Sequence, residues 1–126
     1  MIVLDTATLL YWTLDRAHLS APAAKAIAAA DRIFVSSISI WELGIKSQRG
    51  KLELPLSIRE FAARLSDTER IQVLAVDEQI WIANIELEWE HRDPADRTIV
   101  ATARHFGCPL VSPDARILAF YPSAIW

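Results

Sequence analysis

The stretch DPADRTIVATARHFGCPLVSPD, residues 93–114, contains a complete helix–strand unit. Asp93, followed by a proline, predicts a helix start. The aspartate side chain accepts the free N–H groups of the first turn, and proline lacks an N–H group at a position where the helix does not use one. Asp93 is therefore assigned to capping. Gly107 is a typical helix stop, and the apolar pair Leu110 and Val111 predicts a short buried strand. Asp114 follows that strand, which places a carboxylate at its carboxyl end.

Strands and helices alternate through the rest of the chain. Short apolar runs predict buried strands at residues 2–4, 33–35, 71–76 and 110–111, with a further short strand near Ala119 to Tyr121. Capping serines and aspartates and helix-forming segments predict helices at residues 7–15, 23–30, 58–66, 78–90 and 94–107. A further helix runs to about Gln48, and Ser36, Ser37 or Ser39 can cap its start. This alternation predicts a mostly parallel sheet with right-handed crossovers and helices on both faces, a three-layer α/β/α sandwich.

Length and composition indicate one globular domain over residues 1–126, with 52% apolar and 23% charged residues. Cys108 is the only cysteine, which excludes an internal disulfide and a thiolate metal cluster and fits a reducing compartment. We expect a cytoplasmic protein without a membrane segment, because no basic leader and no run of about 18 apolar residues occurs. A net charge of -3 offers no general attraction for nucleic acid.

Four acidic residues occupy positions where side chains can meet at one edge of the predicted sheet. Asp5 follows the first strand as Asp114 follows the fourth, and ligands of open α/β sheets bind outside the carboxyl ends of the strands. Glu42 lies on the third predicted helix and Asp96 in the first turn of the helix that follows Asp93. Together the four carboxylates predict a shared metal site.

Each acid also has an ordinary structural explanation. Asp5 can cap the first helix, and Asp96 is stabilised by the dipole of its own helix. Glu42 can form an i, i+4 pair with Lys46, and Asp114 can be a turn residue. Taken singly, none of the four carboxylates identifies a site.

Three segments carry a resemblance to a known family: IVLDTATLLYW (2–12), VSSISIWELGIKSQRGKLELP (35–55) and HRDPADRTIVATARHFGCPLVSPDARI (91–117). In these segments the sequence resembles the PIN-domain ribonucleases, and within them the VapC-type toxins of bacterial toxin–antitoxin pairs. The acids of that family map to Asp5, Glu42, Asp96 and Asp114, and Thr6 matches the small hydroxyl residue that commonly follows the first aspartate. No expected acid is missing.

The resemblance implies a Mg²⁺-dependent endoribonuclease that cuts RNA, with Mn²⁺ as an alternative cation. It implies that Asp5 and Asp96 are the direct metal ligands and that Glu42 and Asp114 complete the catalytic cluster. Clustered carboxylates suit this chemistry, because Mg²⁺ prefers oxygen ligands and reverses the local charge that would repel a phosphodiester. The family also implies a homodimer and a cognate antitoxin. A non-catalytic PIN-like interaction module and a DNA-directed nuclease are the alternatives.

Other polar and aromatic residues receive weaker predictions. His18, His91 and His105 lack the spacing of a metal motif, and we expect solvated or capping roles for them. Seven basic residues near the acids could contact RNA phosphates or simply be solvated: Lys46, Arg49, Lys51, Arg92, Arg97, Arg104 and Arg116. Core packing is expected for Trp41 and Trp81, and Trp89 is expected on a helix. Trp12 could belong to the core or to an interface with a partner.

Overall fold

The computed structural model describes all residues, 1–126, as one sheet with helices on both faces. The strands are β1 (Ile2–Leu4), β2 (Ile33–Ser36), β3 (Ile71–Leu74), β4 (Leu110–Val111) and β5 (Ala124–Ile125). The helices are α1 (Thr6–Leu14), α2 (Ala21–Ala29), α3 (Ser37–Gln48), α4 (Ile58–Asp67), α5 (Glu78–Glu86), α6 (Pro94–Phe106) and α7 (Ala115–Phe120), with one 3-10 turn at Arg16–His18. None of the seven helices combines the length and the apolar character that crossing a membrane requires.

The sheet has the order β3-β2-β1-β4-β5, and every neighbouring pair is parallel. The register places Val3 of β1 beside Phe34 of β2 and beside Leu110 of β4. The predicted parallel α/β/α fold is therefore confirmed. Strands β2 and β3 lie on one side of β1, and the later strands β4 and β5 lie on the other side. This reversal of strand order leaves a crevice at the carboxyl ends of β1 and β4, where ligands bind in such sheets.

Alternation along the strands divides the apolar residues between two cores. Leu4 and Val35 point to one face, where they pack with the buried Trp12 of α1 and with apolar residues of α2, α3 and α4. Val3 and Leu110 point to the other face, where they pack against α6 and α7. Because both faces of β1 and β4 are covered, these short strands can be apolar throughout. The rigid pair β1–β4 supports the residues that follow each strand.

All seven helices begin at a serine or aspartate whose side chain accepts a backbone amide of the first turn: Asp5, Ser20, Ser36, Ser57, Asp77, Asp93 and Asp114. Such a cap contributes about 1 kcal/mol and is a local signal, which explains why the helix starts are predictable. Helix α6 ends at Gly107, whose φ of 63° lies in the left-handed region that glycine adopts without steric cost.

Three predicted boundaries in the C-terminal half are wrong. Helix α5 ends at Glu86 rather than at residue 90, so Trp89 lies on an irregular connection. Strand β3 stops at Leu74, two residues early. The strand expected at residues 119–121 is the end of helix α7, which Asp114 caps, and the last strand forms instead at Ala124–Ile125.

The core prediction for Trp41 and Trp81 is also wrong, because these side chains are 57% and 45% exposed. Helix α3 buries Ser39 and Leu43, and a residue two positions from Ser39 projects toward the opposite side of a helix. Trp12 is buried in the core on the α1 side of the sheet, which decides between its two predicted roles in favour of packing.

Candidate active site

All four predicted acids line a single open cavity of about 470 Å³ at the carboxyl edge of the sheet. The structure therefore brings Asp5, Glu42, Asp96 and Asp114 together. The cavity is also lined by Thr6, Ala7, Leu10, Leu43, Lys46, Lys51, Leu52, Asp93, Pro113 and Arg116. The cavity is thus lined by acidic residues and by three of the basic residues singled out in the sequence, Lys46, Lys51 and Arg116.

Asp5 is the most deeply buried of the four acids, with 4% of the residue exposed. One carboxylate oxygen accepts the backbone N–H of Thr8 at 2.8 Å, and the other accepts the hydroxyl of Ser112 at 2.5 Å. Thr8 in turn donates its hydroxyl to the carbonyl of Val111 at 2.9 Å, which ties α1 to the end of β4. The capping explanation is thus correct, and the capped carboxylate still faces the cavity.

Burial raises the pKa of Asp5 from 3.8 to about 6, against the hydrogen bonds from Ser112 and Thr8 that lower the pKa, and the nearby Asp96 raises it further. An acid whose pKa is higher in the folded state than in the unfolded state stabilises the fold below the unfolded pKa. That contribution is lost as the pH rises through the folded pKa.

We therefore expect the metal-free protein to lose on the order of 2–3 kcal/mol of unfolding free energy between about pH 4 and about pH 7 through this group. Urea denaturation of the wild type and of Asp5→Asn at both pH values measures the effect. The variant should show the smaller loss and should be the more stable protein near neutral pH. Equal losses in the two proteins would contradict the burial effect.

Asp96 lies in the first turn of α6, where its backbone N–H donates to the cap Asp93 at 2.9 Å. Its Oδ2 atom lies 2.7 Å from Nε2 of His91 and 4.0 Å from a guanidinium nitrogen of Arg116. Burial raises the pKa of Asp96 against the opposing hydrogen bond with His91, and Asp93 and Asp114 raise it further. The acids are thus close enough to repel one another, as expected for groups that would share a cation.

Asp114 caps the short helix α7 and forms an ion pair with Arg116, with an N–O distance of 3.1 Å. The hydrogen bonds from Arg116 lower the pKa of Asp114. Asp114 therefore stays ionised at a pH at which Asp5 can hold a proton. The backbone N–H of Asp114 also donates to the hydroxyl of Ser112 at 3.1 Å. Ser112 therefore joins Asp5 to Asp114 across the β1–β4 crevice.

Glu42 reaches the cavity from α3, with 16% of its side chain exposed, and lies 3.5 Å from Lys46 one turn later. The predicted i, i+4 pair is present, and it does not remove the carboxylate from the site. The hydroxyls of Thr6 and Ser39 form a buried hydrogen bond of 2.8 Å between α1 and α3. Ser39 precedes Glu42 by almost one turn, so this bond sets the position of Glu42 relative to Asp5.

Arg97 fastens the irregular connection between α5 and α6. Its guanidinium donates to the carbonyls of Asn84, Leu87, Trp89 and His91 and to the side-chain oxygen of Asn84, at distances of 2.6 to 3.3 Å. These five bonds use all five N–H donors of an arginine. Arg97 therefore has neither of the two roles left open for it, contact with RNA phosphates or simple solvation. The same bonds explain why the chain leaves the helix after Glu86.

His91 is the site residue that the sequence pattern missed. The expected solvated or capping role holds for the exposed His18 and His105, but it is wrong for His91, whose side chain is 10% exposed and contacts Asp96. The ring of Trp89 packs edge-on against His91 at a centroid distance of 4.8 Å. The only signal in the sequence is its place two residues before a capped helix that carries an acid.

The cavity has a donor set that suits a hard cation such as Mg²⁺, because it consists of oxygen atoms whose mutual repulsion a cation would relieve. No three Asp, Glu, His or Cys side chains lie close enough together to bind one ion in common. Mg²⁺ is nevertheless commonly held by one or two carboxylates with several waters. The residues present therefore fit a partly hydrated divalent cation.

The profile of the PIN domain family matches residues 2–121. Ribonuclease VapC22 of Mycobacterium tuberculosis (strain ATCC 25618 / H37Rv) is 27% identical over 129 residues, which cover 99% of this chain and 98% of that protein. The fold is also similar to that in a toxin–antitoxin complex from Klebsiella pneumoniae, with a TM-score of 0.70, 18% identity and coverage of 100% and 97%. Mycobacterium tuberculosis VapC20, described as a sarcin-ricin loop cleaving toxin, gives a TM-score of 0.63, 20% identity and 94% coverage of both chains.

Proposed function

The chain belongs to the PIN domain family, and from that premise we propose that it is a Mg²⁺-dependent endoribonuclease acting as the toxin of a toxin–antitoxin pair. The observation that carries the proposal is the meeting of Asp5, Glu42, Asp96 and Asp114 in one cavity at the β1–β4 crevice. A similar protein bears the name ribonuclease, and a structural neighbour is described as a sarcin-ricin loop cleaving toxin. The name ribonuclease supports RNA as the substrate.

Asp5 and Asp96 would hold the cation, with Glu42 and Asp114 completing the cluster. When bound, Mg²⁺ or Mn²⁺ supplies a positive charge that stabilises developing charge on the phosphoryl oxygens and lowers the pKa of a coordinated water. Asp5 would release its proton when the cation binds, because the positive charge offsets the cost of a buried carboxylate. The division of work between Glu42 and Asp114 stays open.

The basic residues around the cavity give this acidic chain a local attraction for a phosphodiester. Lys46, Lys51 and Arg116 all line the cavity wall, and the side chains of Lys46 and Arg116 are more than half exposed. They can contact phosphates on either side of the bond to be cut. Such contacts position the strand without reading its sequence, so they favour no particular RNA.

Removal of divalent metal should abolish RNA cleavage by the purified protein. We expect chelation with EDTA to reduce cleavage of a structured RNA to background, and excess Mg²⁺ or Mn²⁺ to restore it, because the carboxylates alone repel the phosphate. Sequencing of the RNA ends measures the product, with Asp5→Asn as the control for contaminating nuclease.

A DNA oligonucleotide of the same sequence, digested in parallel, separates the alternatives. Preferential cleavage of DNA would indicate a DNA-directed nuclease. Absence of any metal-dependent cleavage would indicate a non-catalytic interaction module with this fold.

A homodimer and a cognate antitoxin are part of the same proposal. The toxin–antitoxin complex among the structural neighbours supports the protein partner. The exposed side chains of Trp41, Trp81 and Ile85 leave apolar surface that a folded protein usually covers only when a partner binds. Light scattering of the isolated chain measures its oligomeric state.

A further inference from the structure

His91 lies on the connection between α5 and α6 that Arg97 holds, and its side chain contacts Asp96 of the acidic cavity. The resemblance gave it no role. Its Nδ1 atom lies 3.4 Å from a guanidinium nitrogen of Arg116, and its Nε2 atom lies 2.7 Å from Oδ2 of Asp96. An arginine only donates hydrogen bonds, so Nδ1 must accept and the ring proton belongs on Nε2. The hydrogen bond to Asp96 is therefore an N–H donated to a carboxylate.

The imidazole is held in this orientation from several sides. Arg97 donates to the carbonyl of His91 itself at 3.1 Å and to the carbonyl of Trp89 at 2.6 Å. These two bonds hold the backbone of His91 in place. The Trp89 ring packs against the His91 ring, and Trp89 is itself stacked on Phe120 at 4.6 Å between centroids. A ring that is 10% exposed and held in this way is not free to swing away from the acid.

The two oxygens of Asp96 are consequently in different situations. Oδ2 accepts the hydrogen of His91 and has the positive charge of Arg116 at 4.0 Å. Oδ1 accepts no protein hydrogen bond and is not a buried, unsatisfied atom, so it is accessible to solvent, and Asp96 lines the cavity. A donor behind one carboxylate oxygen orients the other oxygen toward a ligand, and such supporting contacts affect metal affinity by about 10- to 100-fold.

Resting on the proposed function, we infer that His91 is a positioning residue that presents Oδ1 of Asp96 to the divalent cation through the Nε2–H to Oδ2 hydrogen bond. Arg97 holds the backbone of this positioning residue, and Arg116 selects its tautomer. Asp96 then binds the cation through one oxygen.

A pair of variants that differ by one methylene tests the inference. His91→Gln carries an amide nitrogen near the position of Nε2 and retains the donor, whereas His91→Asn carries it near Nδ1 and loses the contact with Asp96. We expect His91→Asn to bind Mn²⁺ alone about tenfold more weakly than the wild type, and His91→Gln within about threefold of the wild type. Titration calorimetry measures these affinities. His105→Asn is the matched control, because His105 is an exposed histidine on α6.

Three further readouts separate positioning from a merely structural role. RNA cleavage by His91→Asn should approach the wild-type rate at saturating Mn²⁺, because only the metal affinity is reduced. Thermal melting of each variant reports whether the connection still folds. In the wild type, nitrogen NMR should show His91 with the proton on Nε2, a result that needs no variant at all.

Three outcomes would contradict the positioning role of His91. Unchanged Mn²⁺ affinity in His91→Asn, tighter binding in that variant, or a proton on Nδ1 in the wild type would overturn the positioning role. Tighter binding would indicate that His91 competes with the cation. A wild-type protein that binds Mn²⁺ but cleaves no RNA would instead contradict the proposed function and leave the His91 contact testable by affinity.

Discussion

An Asp96→Asn protein is expected to lose RNA cleavage by roughly three orders of magnitude while keeping its fold. The substitution removes the negative charge of a group that lines the cavity, so the proposed cation would lose a ligand. The fold should survive because an asparagine oxygen can still accept the N–H of His91, and asparagine is tolerated in the first turn of a helix. Cleavage rates at saturating Mg²⁺, with circular dichroism as a check of folding, measure both parts of the expectation.

Asp93→Asn is the matched control for this experiment. Asp93 lies three residues earlier in the same cavity wall, and asparagine caps a helix about as well as aspartate. The same charge change at that position should leave cleavage within about threefold of the wild type, because the carboxylate of Asp93 is used for capping. Retained cleavage by a pure Asp96→Asn protein, free of contaminating nuclease, would remove Asp96 from the active site.

Replacement of Arg97 by leucine is expected to destabilise the protein by about 2–4 kcal/mol, the largest effect on stability among these predictions. Leucine preserves much of the apolar stem but leaves four carbonyls and one side-chain amide oxygen without their donor. Residues 87–93 should then become mobile, because no regular structure holds them. Urea denaturation measures the stability, and hydrogen exchange measures the opening of the connection.

Arg92→Leu provides the control for Arg97→Leu, since Arg92 is an exposed arginine on the same connection. We expect that change to alter stability by less than about 0.5 kcal/mol. A similarly small effect of Arg97→Leu would show that water replaces the guanidinium without cost. The role of Arg97 in holding His91 would then have to be abandoned.

The helix starts and the central strands were predictable because their signals are local. A serine or aspartate caps a helix through an amide two or three residues away, and a short apolar run between polar turns indicates a buried strand. The end of α5 was not predictable in this way. It depends on the guanidinium of Arg97, which approaches from the next helix and binds a carbonyl in the last turn of α5 together with three carbonyls of the connection that follows.

The tryptophans show a second limit of local patterns. Trp41 and Trp81 are large and apolar, which favours burial, yet both stay about half exposed, and both line one open cavity between α3 and α5. Which face of a helix meets the sheet depends on all the residues of that helix together. For α3 the small buried Ser39 and the buried Leu43 decide it, and Trp41 follows to the outside.

By itself the sequence determined the alternation of strands and helices, the capped helix starts and the four acids at one edge of the sheet. These properties depend on neighbours within a few residues along the chain, so pattern and spacing suffice. The tertiary structure decided which oxygen of Asp96 accepts no hydrogen bond, that burial raises the pKa of Asp5 to about 6, and that His91, Ser112 and Arg116 contact the acids. The Ser112–Asp5 contact exists only once β1 and β4 pair, because that pairing brings residues 107 positions apart into hydrogen-bonding distance. The His91–Asp96 contact depends instead on the connection between α5 and α6, whose backbone Arg97 holds.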